Sequence, residues 1–166
     1  MEARLQWLLF LCTVHGRKEI PMDTIVVTTL NPHGLLTSDI ADVNALLREL
    51  SPESPQLSEE QLSKIAQPET FYVARLNGYS VVGMATLAIS YRKSGQIGII
   101  ENFVVTPKRR RQGVGKKMMA KLVQDARFLK LNAIELVTLR ENPAAQFYRA
   151  LRFAEEDATY FTLKLQ

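Results

Sequence analysis

Val104-Val105-Thr106-Pro107-Lys108-Arg109-Arg110-Arg111-Gln112-Gly113-Val114-Gly115-Lys116-Lys117-Met118-Met119 is the stretch that decides how this chain folds. Before it runs Ile97 to Val105, apolar and β-branched apart from Gly98, Glu101 and Asn102, and Pro107 ends that strand because it has no N–H to give to a ladder. After it Met118, Met119, Leu122, Val123, Ala126 and Leu129 recur on one face of a helix. A strand thus passes through a basic turn into an amphipathic helix, with Gly113 and Gly115 at the helix start. There the first N–H groups lack internal partners, the helix dipole is positive, and glycine has no Cβ to keep a ligand away, so the turn can cradle a pyrophosphate. Two nucleotide loops are excluded. A Walker A loop needs Gly at 110 and Ser or Thr at 117, where Arg110 and Lys117 stand, and a Rossmann fingerprint needs Gly or Ala at 118, where Met118 stands. Two glycines alone would equally suit a solvated basic helix start, so the surrounding pattern has to decide.

Working toward the N-terminus, Ser94-Gly95 marks a turn, Val81 to Ser90 and Phe71 to Leu76 read as strands, and Asn77-Gly78 joins them as a tight hairpin. Before them the spacing of Ser58 and Gln61 predicts a capping box, and Leu57 and Leu62 a hydrophobic staple, for a short helix ending near Ala66. An earlier helix carries Ile40, Val43, Leu46, Leu47 and Leu50, with Ser38 as its expected cap and Pro52 to Pro55 as its break. Toward the C-terminus, Ile134 to Leu139 is a strand, Asn142-Pro143 opens a helix, and Tyr160 to Leu165 is expected to close the chain as a strand. The order is two helices, three strands, then helix, strand, helix, strand.

With 166 residues, 46% of them hydrophobic, the chain can bury one ordinary core and is too short for two domains of common size. One cysteine, Cys12, excludes an internal disulfide, and no Cys or His cluster has metal-ligand spacing, so no metal site is expected and a reduced compartment, the cytoplasm, is. Leu5 to Cys12 is a short apolar run interrupted by Gln6 and followed by charged residues, read as part of an N-terminal extension over 1–21, with a targeting element as the other reading, Met22 as an alternative start and 22–166 as the domain. No segment approaches the roughly 20 apolar residues of a membrane span. The net charge of +4 hides an asymmetry: residues 31–70 carry seven acids against Arg48 and Lys64, while 107–130 carry nine bases against Asp125. One region should prefer cations and the other anions.

Arg110-Arg111-Gln112-Gly113-Val114-Gly115, after Phe103-Val104-Val105-Thr106-Pro107, resembles the Arg/Gln-x-x-Gly-x-Gly/Ala motif of the GNAT superfamily of N-acetyltransferases. A second block, Asn142 through Tyr148 to Phe153, is similar to that family's Asn-x-x-Ala-x-x-Phe-Tyr-x-x-x-Gly-Phe, with Arg152 where the family usually has glycine. The resemblance covers roughly Thr24 to Gln166. It implies an α/β (α+β) fold: a single domain with a mixed, mostly antiparallel sheet, splayed central strands and helices on both faces. It implies acetyl-CoA as co-substrate, its acetyl and pantetheine arm along Phe103, Val104 and Val105, its phosphates on Arg110, Arg111, Gln112, Gly113, Val114, Gly115 and Lys116, and its arm touched by Asn142, which can also cap its helix.

An ammonium cannot attack a thioester until it has lost a proton, so a base is needed beside the splay. Glu101 interrupts an apolar strand there, is similar in position to the general-base glutamate of small-amine members, and is expected to be buried, with a pKa raised toward neutrality. Tyr148 matches the family's general acid for the departing thiolate. Each has a plainer alternative: a solvent-facing strand glutamate, and a core aromatic with a satisfied hydroxyl. The acceptor expected is a small-molecule or peptide amine. Lys108 to Arg111 lack the aromatic interleaving of a nucleic-acid surface, so neither nucleic acid nor membrane is expected as a partner, and a homodimer is left open. The alternative function is a catalytically silent acetyl-CoA-binding sensor or interaction module.

Overall fold

Asn77 and Gly78 both take left-handed backbone, φ 53° and 80°, the conformation whose twist matches the strands of a two-residue hairpin. They join β2 (Thr70–Leu76) to β3 (Ser80–Arg92), antiparallel, with Phe71 opposite Thr86 and Tyr72 opposite Ala85. A second turn brings back β4 (Gly95–Val105), again antiparallel, and β5 (Ala133–Leu136) lies parallel to it. The computed structural model describes residues 23–30, 36–66, 69–163 and 165; the extension over 1–21, with Cys12 and His15, and also His33 lie outside them.

Two strand expectations need correction. A strand that sequence reading passed over, β1 (Ile25–Thr29), precedes the helices and pairs antiparallel with β2, Ile25 opposite Leu76, giving the order β1-β2-β3-β4-β5. It is a five-residue edge strand, half exposed, so it has no run of buried apolar residues to announce it. Conversely, Tyr160 to Leu165 forms no strand among its described residues: Tyr160, Phe161, Leu163 and Leu165 are exposed, and β5 is paired only with β4. Alternating side chains make a strand only where an edge receives their backbone groups.

Each face of the sheet has its own core. On one face α1 (Thr37–Leu50) and α2 (Glu59–Ala66) set Val43, Leu46 and Leu62 against Phe71, Val73, Val81, Met84 and Val104. On the other, α3 (Val114–Phe128) packs Val114, Met118, Met119 and Leu122 against Tyr72, Ala74, Leu87 and Ile100, and α4 (Ala144–Ala150) adds Tyr148. Leu46, Leu62 and Leu122 each contribute about 1.5–3 kcal/mol by leaving water.

Polar fasteners tie the helices to the sheet. Arg75 on β2 donates through both Nη atoms to the Asp39 carboxylate on α1, at 2.6 and 3.0 Å, and its hydrogen bond, with the charge beside it, holds that carboxyl below the usual range against the opposing effect of burial. Asp39 also accepts the Leu36 N–H at 3.3 Å. The helix therefore starts at Thr37, and Ser38 falls in the first turn rather than capping it. On the opposite face Tyr72 donates to Asp125 at 2.9 Å, and Lys121 grips the other oxygen at 2.6 Å. Burial first, and the Asp125 carboxylate second, push the Tyr72 phenol well above its usual range. Ser58 and Gln61 form the expected reciprocal box, at 2.9 and 3.3 Å.

Candidate active site

The β4–β5 ladder runs from Ile97 opposite Ala133 to Ile100 opposite Leu136 and stops there. β4 continues to Val105 with no strand paired on that side among the described residues, so Glu101 to Val105 edge a gap, the splay expected from the resemblance. Inside this segment the pairing with β3 shifts: Thr86 faces Glu101 and Met84 faces Val104, leaving one residue extra on β4. Asn102 is left-handed there, φ 52°. The extra residue resets the alternation of faces. Ile100, Phe103 and Val105 pack with the α3 core, whereas Val104 packs with the α1–α2 core. Glu101, paired with Thr86 on the α1–α2 face, is exposed, and its carboxylate has no partner among the described residues. The expectation that Glu101 is buried is therefore corrected: past Leu136 no strand among the described residues covers it.

Phe103 reaches the other face. Its ring lies 5.7 Å from Phe147 and 6.1 Å from Tyr148, and Tyr148 meets Phe147 at 5.3 Å and Phe153 at 5.9 Å, three of the four pairs edge-on. Tyr148 is 9% exposed, burial raises its phenol above the usual value, and no hydroxyl partner is present among the described residues. Glu101 and Tyr148 thus lie on opposite faces of the sheet, both adjoining the unpaired end of β4. Asn142 accepts the Ala144 N–H at 2.9 Å, which places Pro143 at the cap and starts α4 one residue later than expected.

The basic turn divides its work. The first helical bond of α3 is from Lys117 N–H to Gly113 C=O, 3.0 Å, which leaves the N–H groups of Val114, Gly115 and Lys116 without helical partners. Gly113 is left-handed, φ 82°, and a Cβ there would meet nothing within 4 Å. Gly115 has a second reason to be glycine: a Cβ would come 3.3 Å from Phe147 Cζ and 3.6 Å from Phe103 Cε1, so its bareness lets α3 sit on the aromatic cluster. Arg110 donates Nε–H to the Val105 carbonyl at 2.9 Å and reaches Glu49 on α1 at 3.4 Å; Arg109 pairs with Asp23 at 3.1 Å, and Gln112 donates to the Lys108 carbonyl at 3.0 Å. These three brace the loop. Arg111, left-handed at φ 60° and exposed, makes no side-chain contact of this kind among the described residues. Beyond Lys116 a cavity of about 370 Å³ runs along α3 past Met119, Val123 and Arg127 to Leu151 and Phe153. Sequence reading did not anticipate the roles of Glu49 or Thr86, whose partners are 61 and 15 residues away and leave no local signal.

The donor set suits a pyrophosphate and a thioester arm: free N–H groups at a positive helix end, open space at Gly113, one unengaged guanidinium and an unpaired strand edge. Residues 40–153 match the model of the acetyltransferase (GNAT) family, and the chain belongs to that family. It is an acetyl-CoA-dependent N-acetyltransferase. Among solved structures it is similar to a Trypanosoma brucei acetyltransferase, 26% identical with a TM-score of 0.70, covering 86% of this chain and 100% of that one. It is also similar to an aminoglycoside N-acetyltransferase solved with CoA (20% identical, TM-score 0.72, 86% and 95% covered). A third is a glucosamine-6-phosphate N-acetyltransferase from Arabidopsis thaliana (17%, TM-score 0.68, 85% and 99%). No curated protein matches the sequence. No helix of the described residues is long and apolar enough to cross a membrane, and among those residues no three His, Cys, Asp or Glu side chains gather as metal ligands.

Proposed function

We propose that the chain acetylates a primary amine by direct attack, with Glu101 as general base and Tyr148 as general acid. The observation that carries this is the unpaired end of β4, which has an unengaged carboxylate on one face, a buried phenol on the other and the open helix start of α3 beyond it. The thioester arm lies along Phe103, Val104 and Val105, whose backbone groups have no β5 partner to satisfy. The pyrophosphate takes the N–H groups of Val114, Gly115 and Lys116 and the side chain of Arg111, while Arg110 and Gln112 hold the loop in shape. Asn142 contacts the arm from just ahead of α4. Glu101 takes the first proton from the ammonium, the freed lone pair bonds the thioester carbon, the carbon–sulfur bond breaks and the departing thiolate takes the Tyr148 proton, while the nitrogen's second proton passes to water and the tyrosinate is reprotonated from water. Tyr148 suits that task because a phenol holds its proton at neutral pH, and burial raises this one above its ordinary value, so the proton is present when the thiolate leaves.

Two measurements test this. Acetyl-CoA should raise the melting temperature by an amount that grows with its concentration. Release of free CoA thiol should depend on added amine, and Glu101→Gln should lower it by about 10² or more while leaving acetyl-CoA affinity within about twofold. A Glu101→Gln enzyme with wild-type turnover removes Glu101 as base, and stabilisation without any thiol release across an amine screen leaves a silent binding module.

A further inference from the structure

Asn102 is the one non-glycine residue of β4 with positive φ, 52°, in a region that β-branched and bulky residues avoid and that asparagine tolerates next best after glycine. It sits where the β3–β4 register slips, between Thr86 opposite Glu101 and Met84 opposite Val104. Strict alternation from Ile100 would carry Phe103 to the α1–α2 face and Val104 to the α3 face, since a one-residue slip exchanges the two sets of side chains. The structure has the reverse. Phe103 joins Ile100 on the α3 side, against Tyr148, Phe147 and bare Gly115, and Val104 closes the opposite core with Met84. Thr86, fully buried, donates its hydroxyl to the carbonyl of Glu101 at 3.4 Å, just ahead of the slip.

We infer that Asn102 is a positioning residue: its left-handed backbone sets the phase of β4 across the site, so that Glu101 faces the α1–α2 side while Phe103 packs against Tyr148. Thr86 pins the carbonyl that precedes it. The inference rests on the function proposed above for its effect on acetyl-CoA, but not for its effect on the strand. A residue that refuses φ near +52° must either carry strain or move the extra position, and moving it turns Phe103 and Val104 to the wrong cores. Glycine reaches the same conformation freely and should rescue, a result that loss of the asparagine side chain's own contacts would not give.

The test compares Asn102→Gly, Asn102→Ala and Asn102→Val in the full chain by two readouts. The first is the dissociation constant for acetyl-CoA by calorimetry; the second is the set of NMR cross-strand contacts between Thr86 and Glu101, and between Phe103 and Tyr148. Expected are a wild-type constant within about twofold and native contacts for glycine, a loss of about threefold for alanine, and tenfold or more for valine with the Phe103–Tyr148 contact weakened. Alanine and valine variants that match wild type in both readouts overturn the inference, as does a glycine variant as impaired as valine. If valine does not fold, the glycine and alanine pair decides in the same way. If the wild-type chain does not bind acetyl-CoA, the proposed function fails, and the strand contacts alone judge the role of Asn102.

Discussion

Arg152 is the position where the second sequence block departs from its family's glycine, and the structure gives that departure a physical meaning. Phe153 N–H bonds the Tyr148 carbonyl at 3.1 Å and Arg152 N–H bonds Arg149 at 2.9 Å, a Schellman ending that needs a left-handed residue, and Arg152 supplies it at φ 66°. Lys130 does the same after α3, at φ 56°, with Leu131 N–H on the Ala126 carbonyl. A side chain in this conformation costs about 1–2 kcal/mol, partly offset by the entropy that glycine loses on folding. Arg152→Gly should therefore stabilise the protein by about 0.5–1 kcal/mol in urea unfolding. A destabilised variant would mean that the Arg152 side chain packs usefully after all. The motif was legible in the sequence; the strain was not, because arginine says nothing of φ. Tyr148 was legible as a family position, and burial adds its direction: the phenol should lose its proton only above the ordinary value of about 10. The alkaline fall of kcat should lie above that pH in the wild type. Tyr148→Phe should turn over about 10²-fold more slowly with an unchanged dissociation constant for acetyl-CoA, and an unaltered rate would leave Tyr148 as packing.

Elements came through the sequence in proportion to how local their signals are. The Asn77-Gly78 hairpin, the Ser58–Gln61 box and the amphipathic stripe of α3 are written within a few residues and appear where expected. β1, the slip in β4 and the lack of a strand among the described residues of 160–165 depend on which edge is available, and no neighbouring residue encodes that. The start of α1 belongs to the same group, since Asp39 is held by Arg75, 36 residues away. Asp39→Ala leaves the Arg75 guanidinium, whose side chain is 18% exposed, without its carboxylate, and should destabilise by about 1.5–3 kcal/mol. Because the folded carboxyl lies below its ordinary 3.8, its contribution is complete above that value and is lost as pH falls through the lowered one. Acid unfolding should accordingly become less steep below pH 4 in the Asp39→Ala protein. An identical acid slope in both proteins would show that other carboxylates dominate.

The sheet divides the molecule electrically as well as sterically: α1 and α2 bring their acids to one face and α3 its lysines and arginine to the other. The imbalance was plain in the sequence, but its pairing was not. Asp39 is neutralised by Arg75, Glu49 by Arg110 and Glu60 by Lys64, while Asp42 accepts the Val81 N–H, so the acidic face carries less free charge than its composition suggests. Glu53, Glu59, Glu69 and Glu101 remain without partners among the described residues. A rival reading gives the turn after β3 the task of gripping an anionic group on the acceptor through Arg92 and Lys93. Arg92, however, already holds Glu135 through both of its Nη atoms at 2.9 Å, across β4. An incoming phosphate would have to displace that carboxylate or rely on Lys93 alone. The acceptor expected is therefore a plain cationic amine drawn by Glu101 and the acids of α1 and α2. Attraction of that kind fades over a Debye length of about 8 Å at physiological ionic strength, so the apparent KM for a polyamine or aminoglycoside should rise with salt while kcat holds. Glucosamine 6-phosphate and aminoalkyl phosphonates should react poorly, and Arg92→Ala should not change that ranking. If the phosphate-bearing amines react best and Arg92→Ala abolishes the preference, Glu135 is a placeholder for the substrate's anion, and specificity resides in the β3–β4 turn.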